Sequence, residues 1–180
     1  MKHRKGKISS SGRSGKLSGE ECQTIVLITW GMEFCKSSFF LSLSDEEKLV
    51  SESIVGYFTE LMFDYFGLTP RQWNEKPLEE CCVDLFPKKM AEKTEYFRCI
   101  APVLSAFFLY LEKEHLQPHA GAMAHAVQNL HGRIIEAAED PHSWSFAKQF
   151  VMAARADGVD VTDKEALDKF MREFNQKLSK

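Results

Sequence analysis

The sequence offers none of the short signatures that announce a catalytic centre. It has no glycine-rich loop able to cradle a phosphate, no nucleophile elbow and no paired CxxC, which removes the usual nucleotide-binding, hydrolase and zinc-ribbon readings. A serine-type triad could be assembled from scattered positions, but nothing nominates one. The apolar run at residues 25–30 is broken by Gly31 and Glu33, far short of the roughly 20 residues that span a bilayer. Residues 1–19 contain no acid and no aromatic side chain. The polar stretch behind the basic start excludes a secretory signal of ordinary form, and its serines and glycines draw no amphipathic presequence helix. Cysteine is sparse: Cys22, Cys35, Cys81, Cys82 and Cys99 form an odd set without regular spacing, which reads as reduced thiols and a cytoplasmic protein.

What the chain does have is aromatic bulk. Fourteen of its 180 residues are Phe, within an apolar share of 44% and a charged share of 27%, so a large aromatic core is expected. A body of this length buries roughly two-thirds of its unfolded surface and needs no covalent staple.

Charge is unevenly placed. Lys2, Arg4, Lys5, Lys7, Arg13 and Lys16 give the first 19 residues six positive charges. With the chain at -3 overall, residues 20–180 carry -9. A segment so rich in Ser, Gly and Lys lacks the apolar groups that offset ordering entropy, so residues 1–19 are expected to form a disordered basic tail and residues 20–180 a single domain. The six cations could neutralise phosphates and bind nucleic acid without sequence preference. The tail lacks base-stacking aromatics, however, and the acidic body would repel a duplex.

Turn and cap signals divide the body into helices. Residues 22–41 are ambiguous, since the β-branched run at 24–29 suits a strand as well as a helix, although no partner strand is visible elsewhere. Ser44 with Glu47 is a capping box that starts a helix ending at Phe66, with Gly67 as its C-terminal cap. Thr69, Pro70 and Gln72 open a short turn, and Pro77 opens another helical segment expected to end before Pro87. A central helix over residues 93–114 contains Pro102, which removes a backbone bond to the Arg98 carbonyl and predicts a kink. A further helix runs from Pro118 to about Asp140, and Asp140-Pro141 caps the next, which stops at Gly158. Thr162 with Glu165 reads as the capping box of the last. These blocks predict an all-α, irregular bundle of about six to eight helices.

Two Glu-x-x-His strings, Glu112 to His115 and Glu139 to His142, place a carboxylate and an imidazole one helical turn apart, as di-iron bundles do. Both fall at predicted helix ends, Pro141 interrupts the second, and the other buried stripes offer no further carboxylate. Solvated helix-end residues are the better reading, and no cofactor is implied. One of Cys81 and Cys82 is expected to face the core, because neighbours on a helix point about 100° apart; Cys99, beside Phe97 and Ile100, reads as a small buried hydrophobe.

Two stretches resemble a known domain. They are Asp64-Tyr65-Phe66-Gly67 leading through Trp73 and Cys81 to Phe86-Pro87-Lys88-Lys89, and Phe146-Ala147-Lys148 leading through Gly158-Val159-Asp160-Val161-Thr162-Asp163 to Glu173-Phe174-Asn175. Together they resemble an uncharacterised bacterial helical domain often found in proteins that carry a SEC-C-type metal motif. The resemblance spans residues 50–176 and implies a bacterial cytoplasmic accessory module. It brings no zinc ligand, since the SEC-C cysteine pattern is missing here, and no catalytic residue. With no catalytic constellation and many amphipathic helices, the expected function is a protein-interaction or regulatory domain whose partner is another protein. Nucleic-acid binding by the tail and a metalloenzyme built on the Glu/His strings are the alternatives.

Overall fold

The computed structural model describes residues 17–178, with side chains to residue 175. Among these residues there are eight helices and no strand. They are α1 (residues 19–34), α2 (Ser38–Leu41), α3 (Asp45–Phe66), α4 (residues 75–89), α5 (Thr94–Lys113), α6 (Ala120–Glu139), α7 (Phe146–Ala156) and α8 (Lys164–Leu178). No helix is long and apolar enough to cross a membrane.

The ambiguous block at 22–41 is helical, and the reason lies at its start. Ser18 and Glu21 form a capping box, with the Ser18 N–H donating to the Glu21 carboxylate at 2.7 Å, which satisfies amides that would otherwise face water unpaired. The β-branched run then winds as a π-helix over Thr24–Gly31. The wider turn suits side chains that crowd an α-helix at the first side-chain torsion.

The Ser44–Glu47 box starts α3 as its spacing predicts, with the Ser44 N–H donating to Glu47 at 2.8 Å. Gly67 ends the helix in the left-handed region, at φ 64°. A Cβ on Gly67 would meet no atom within 4 Å, so Gly67→Ala carries the conformational penalty alone. It should destabilise the fold by about 1 kcal/mol, measurable as a shift in the denaturant midpoint at unchanged slope; an unshifted midpoint would show that the cap is dispensable.

Three expectations about helix ends are corrected. The helix opened near Pro77 does not stop before Pro87 but continues to Lys89. It passes the proline by widening into a π-turn at Glu80–Leu85, where the Phe86 N–H reaches five residues back to the Cys81 carbonyl, which relieves the ring's clash with the preceding turn. Helix α8 is capped by Asp163, whose carboxylate accepts from the Glu165 N–H at 2.9 Å, while Thr162 turns back to Asp160. The helix expected to start at Pro141 begins at Phe146 under the Ser145 cap, after a 3-10 turn at Pro141–Ser143.

Helix α5 is the centre of the bundle and runs as one element across Pro102. Its residues Phe97, Ile100, Leu104, Phe107, Phe108 and Leu111 are almost wholly buried. It pairs with α6 as an antiparallel hairpin: Gln128 donates to the Ser105 hydroxyl at 2.8 Å, and Gly121 lies against the Glu112 carboxylate. Aromatic rings lock the other neighbours edge to face, Phe58 on Trp73 at 5.0 Å and on Phe108 at 5.5 Å, and Phe34 on Phe107 at 5.2 Å, the geometry that ring quadrupoles favour. Cys81 and Cys82 are both fully buried. The expectation that one of them would face outward fails because the π-turn of α4 packs against both α3 and α6.

Candidate functional site

The sequence-nominated residues do not converge. Lys2, Arg4, Lys5, Lys7, Arg13 and Lys16 lie outside the described residues. Glu112 and His115 sit exposed at the end of α5, beside the start of α6, and His115 carries a positive φ of 53°. Glu139 ends α6 and His142 lies just past it, both exposed, with His142 bound to Asp140 at 3.1 Å. Some 18 residues of α6 separate the two pairs, about 27 Å at 1.5 Å per residue. Among the described residues no group of three or more His, Cys, Asp or Glu side chains is close enough to hold a metal ion.

The cysteines offer no nucleophile either. Cys22, Cys81, Cys82 and Cys99 are buried. Cys35 is exposed, yet partial burial and the nearby Glu52 carboxylate push its thiol upward, away from the thiolate that reactivity requires. Burial likewise pushes the Tyr57 and Tyr96 hydroxyls up to about 12.

Lys148 stands apart. It is 1% exposed, donates to the Pro87 carbonyl at 2.6 Å, and lies 4.7 Å from the ring centres of Phe97 and Trp144. Burial draws its ammonium down to about 8. A lysine so tuned could act as a nucleophile if a substrate reached it, but the closed packing leaves no approach.

The surface feature with the clearest form is a groove between α1 and α3. Leu27, Ile28, Gly31, Met32 and Phe34 line one wall, Ser51, Glu52 and Val55 the other, around a cleft of about 300 Å³. Leu27 and Glu52 also border a second, shallower recess that Leu49, Ser53 and Gly56 complete. A Cβ on Gly56 would meet the Leu27 methyls at 3.4 and 3.7 Å, an ordinary van der Waals contact. Ile28, Met32 and Leu49 are 62%, 57% and 86% exposed. Three large apolar side chains around shared lining residues form a patch rather than scattered surface hydrophobes.

The two helices that form the groove are acidic, although Lys36 just past α1 pairs with Glu33 at 2.7 Å and Lys48 with Asp45 at 3.9 Å. Helix α1 carries Glu20, Glu21 and Glu33 without a base, and α3 carries Asp45, Glu46, Glu47, Glu52, Glu60 and Asp64 against Lys48 alone. No basic side chain lines either recess. Sequence reasoning missed this site, because Ile28 beside Leu27 and Leu49 beside Val50 read as parts of buried apolar runs. No protein-family model, no curated protein and no solved structure matches this chain.

Proposed function

We propose that this chain is a non-catalytic helical interaction domain that receives a basic amphipathic helix of a partner protein in the groove between α1 and α3. The observation that carries the reading is the exposure of Ile28 and Met32 along one apolar groove and of Leu49 on the adjoining recess, on helices that hold nine acids and one base. An amphipathic helix buries its apolar stripe in such a groove, and basic flanks meet the acidic rim. The π-turns of α1 agree with this, because such wide turns recur at functional positions. An accessory role is also what the resemblance to the bacterial helical domain implies.

Two labelled synthetic helices of equal length test the proposal, one with a leucine stripe and lysine flanks, the other with the same stripe and glutamate flanks. The lysine peptide should bind with an affinity that falls as salt rises, and the glutamate peptide at least tenfold more weakly. Met32→Lys, at a position that solvent already reaches, should weaken the lysine peptide by about tenfold, on the order of 1.4 kcal/mol. Equal binding of both peptides, or indifference to Met32→Lys, would refute the groove; turnover of a substrate by the purified chain would refute the non-catalytic reading.

A further inference from the structure

Phe150, Ala154 and Phe170 form a buried cluster of their own, separate from the main core. It lies within the hairpin of α7 and α8, and the joint between that hairpin and the body is largely polar. The Ser145 N–H donates to the Lys88 carbonyl at 3.0 Å, the Lys148 ammonium to the Pro87 carbonyl at 2.6 Å, and the Arg155 guanidinium to the Ala91 carbonyl. The Trp144 indole N–H donates to the Ala138 carbonyl at 2.9 Å. These acceptors sit in or just past the last turns of α4 and α6, where helices leave carbonyls unpaired and their dipoles attract cations.

Lys148 is the one charged side chain buried among the described residues. No carboxylate answers it. The ionisable side chains on the facing stretches of the surrounding elements are Asp84, Lys88 and Lys89 on α4, Glu92 and Lys93 in the link, Glu95, Tyr96, Arg98 and Cys99 on α5, Glu136 and Glu139 on α6, Asp140 and His142 in the turn, Arg155 on α7 with Asp157 just past it, and Lys164, Glu165, Asp168, Lys169, Arg172 and Glu173 on α8. The charged ones are exposed, Tyr96 is half-buried and bonded to the Ser53 hydroxyl, Cys99 is buried with its thiol donating to the Glu95 carbonyl, and none forms an ion pair with Lys148. Two ring faces and one carbonyl return part of the hydration that an ammonium loses on burial. A methionine at this depth would seal the joint, whereas an unpaired lysine regains its water whenever the joint parts.

We propose that the α7–α8 hairpin is a lid that opens as a unit ahead of the body, biased toward opening by the uncompensated charge of Lys148 buried beneath it. Segments with small separate cores are the ones that open sub-globally. The sign of the pH response follows from the two states. In the closed lid burial holds Lys148 at about 8, and in the open lid it regains the ordinary lysine value near 10.4. The open form therefore binds the proton more tightly, so opening is favoured below pH 8 and suppressed progressively as pH rises toward 10.4. Between pH 7 and pH 9 the opening constant should fall by about tenfold. The neutral amine still donates to the Pro87 carbonyl, so the pH change removes charge without removing the hydrogen bond.

Native-state amide exchange on the full chain, with each rate referred to its intrinsic value at the same pH, tests the lid. Amides of α7 and α8 should share one opening free energy below that of α5 and α6, and their opening constant should drop about tenfold from pH 7 to pH 9 while α5 and α6 do not follow. Lys148→Met, which keeps the apolar stem and removes the charge, should abolish this pH response. Lys148→Gln, a neutral donor, should do the same if the Met variant does not fold. Exchange of α7 and α8 only through global unfolding would overturn the proposal, as would a pH response that survives the loss of the charge.

Discussion

Phe58→Ala should lower the free energy of unfolding by about 3–5 kcal/mol, a large part of the roughly 5–15 kcal/mol by which a domain is stable. The Phe58 side chain is fully buried, and its ring stands edge-on to Trp73 and Phe108. Truncation removes the transfer energy of the ring and also leaves a cavity, because α3, α5 and the segment bearing Trp73 meet there and none can collapse without moving the others. Trp73 is held on its other side as well: Trp30 packs edge-on at 6.5 Å, and Gln117 donates to the Trp73 carbonyl at 2.6 Å. The indole N–H of Trp73 has no partner among the described residues, so its position is set by packing rather than by its own hydrogen bond. Denaturant unfolding followed by the tryptophan signal measures the loss. A decrease below about 1 kcal/mol would mean that the cavity refills and that this aromatic junction does not hold the bundle together.

Phe150→Ala should act as strongly but locally. Phe150 lies 5.5 Å from the rings of both Phe170 and Phe174 and is the hub of the small cluster between α7 and α8. Its truncation should remove about 3 kcal/mol from a cluster with few other buried residues, enough to undock or unfold residues 146–178 while α5 and α6 persist. Amide and indole NMR signals distinguish the outcomes: signals of α7 and α8 should collapse toward unfolded positions while those of α5 and α6 remain. A single cooperative loss of all signals would show one core rather than two. Phe146→Ala provides the contrast, because Phe146 is 60% exposed and keeps only one edge contact, with Phe174 at 6.0 Å, so its truncation should cost only about 1 kcal/mol.

Much of the fold was legible where the deciding interactions are local. The Ser44–Glu47 box, the glycine cap at Gly67 and the Thr69–Gln72 pair appear where spacing places them, because each satisfies backbone groups within a single turn. The aromatic stripe of α5 was legible too, since 3.6-residue periodicity survives any choice of neighbours. Sequence signals misled where two local solutions compete. Pro87 normally ends a helix, yet a π-turn carries α4 through it. Asp163, one residue beyond Thr162, takes the cap of α8 by accepting from both the Glu165 and Ala166 amides.

The two features on which the proposals rest were not legible, for a common reason. In the sequence Lys148 is an ordinary helical cation between Phe146 and Phe150. What buries it is Phe97 and the carbonyl of Pro87, 61 residues upstream. Ile28, Met32 and Leu49 look like members of the core stripe, and nothing local says that α1 and α3 leave them outside. The sequence by itself determined that this chain coils into helices, where most of them begin and end, and that most of its phenylalanines would be drawn inward. Only the tertiary structure decided which apolar faces stay open and which charge is shut in. Those outcomes depend on helices far apart in the chain competing for the same neighbours, a contest settled by packing and desolvation between elements rather than by any rule acting within one turn.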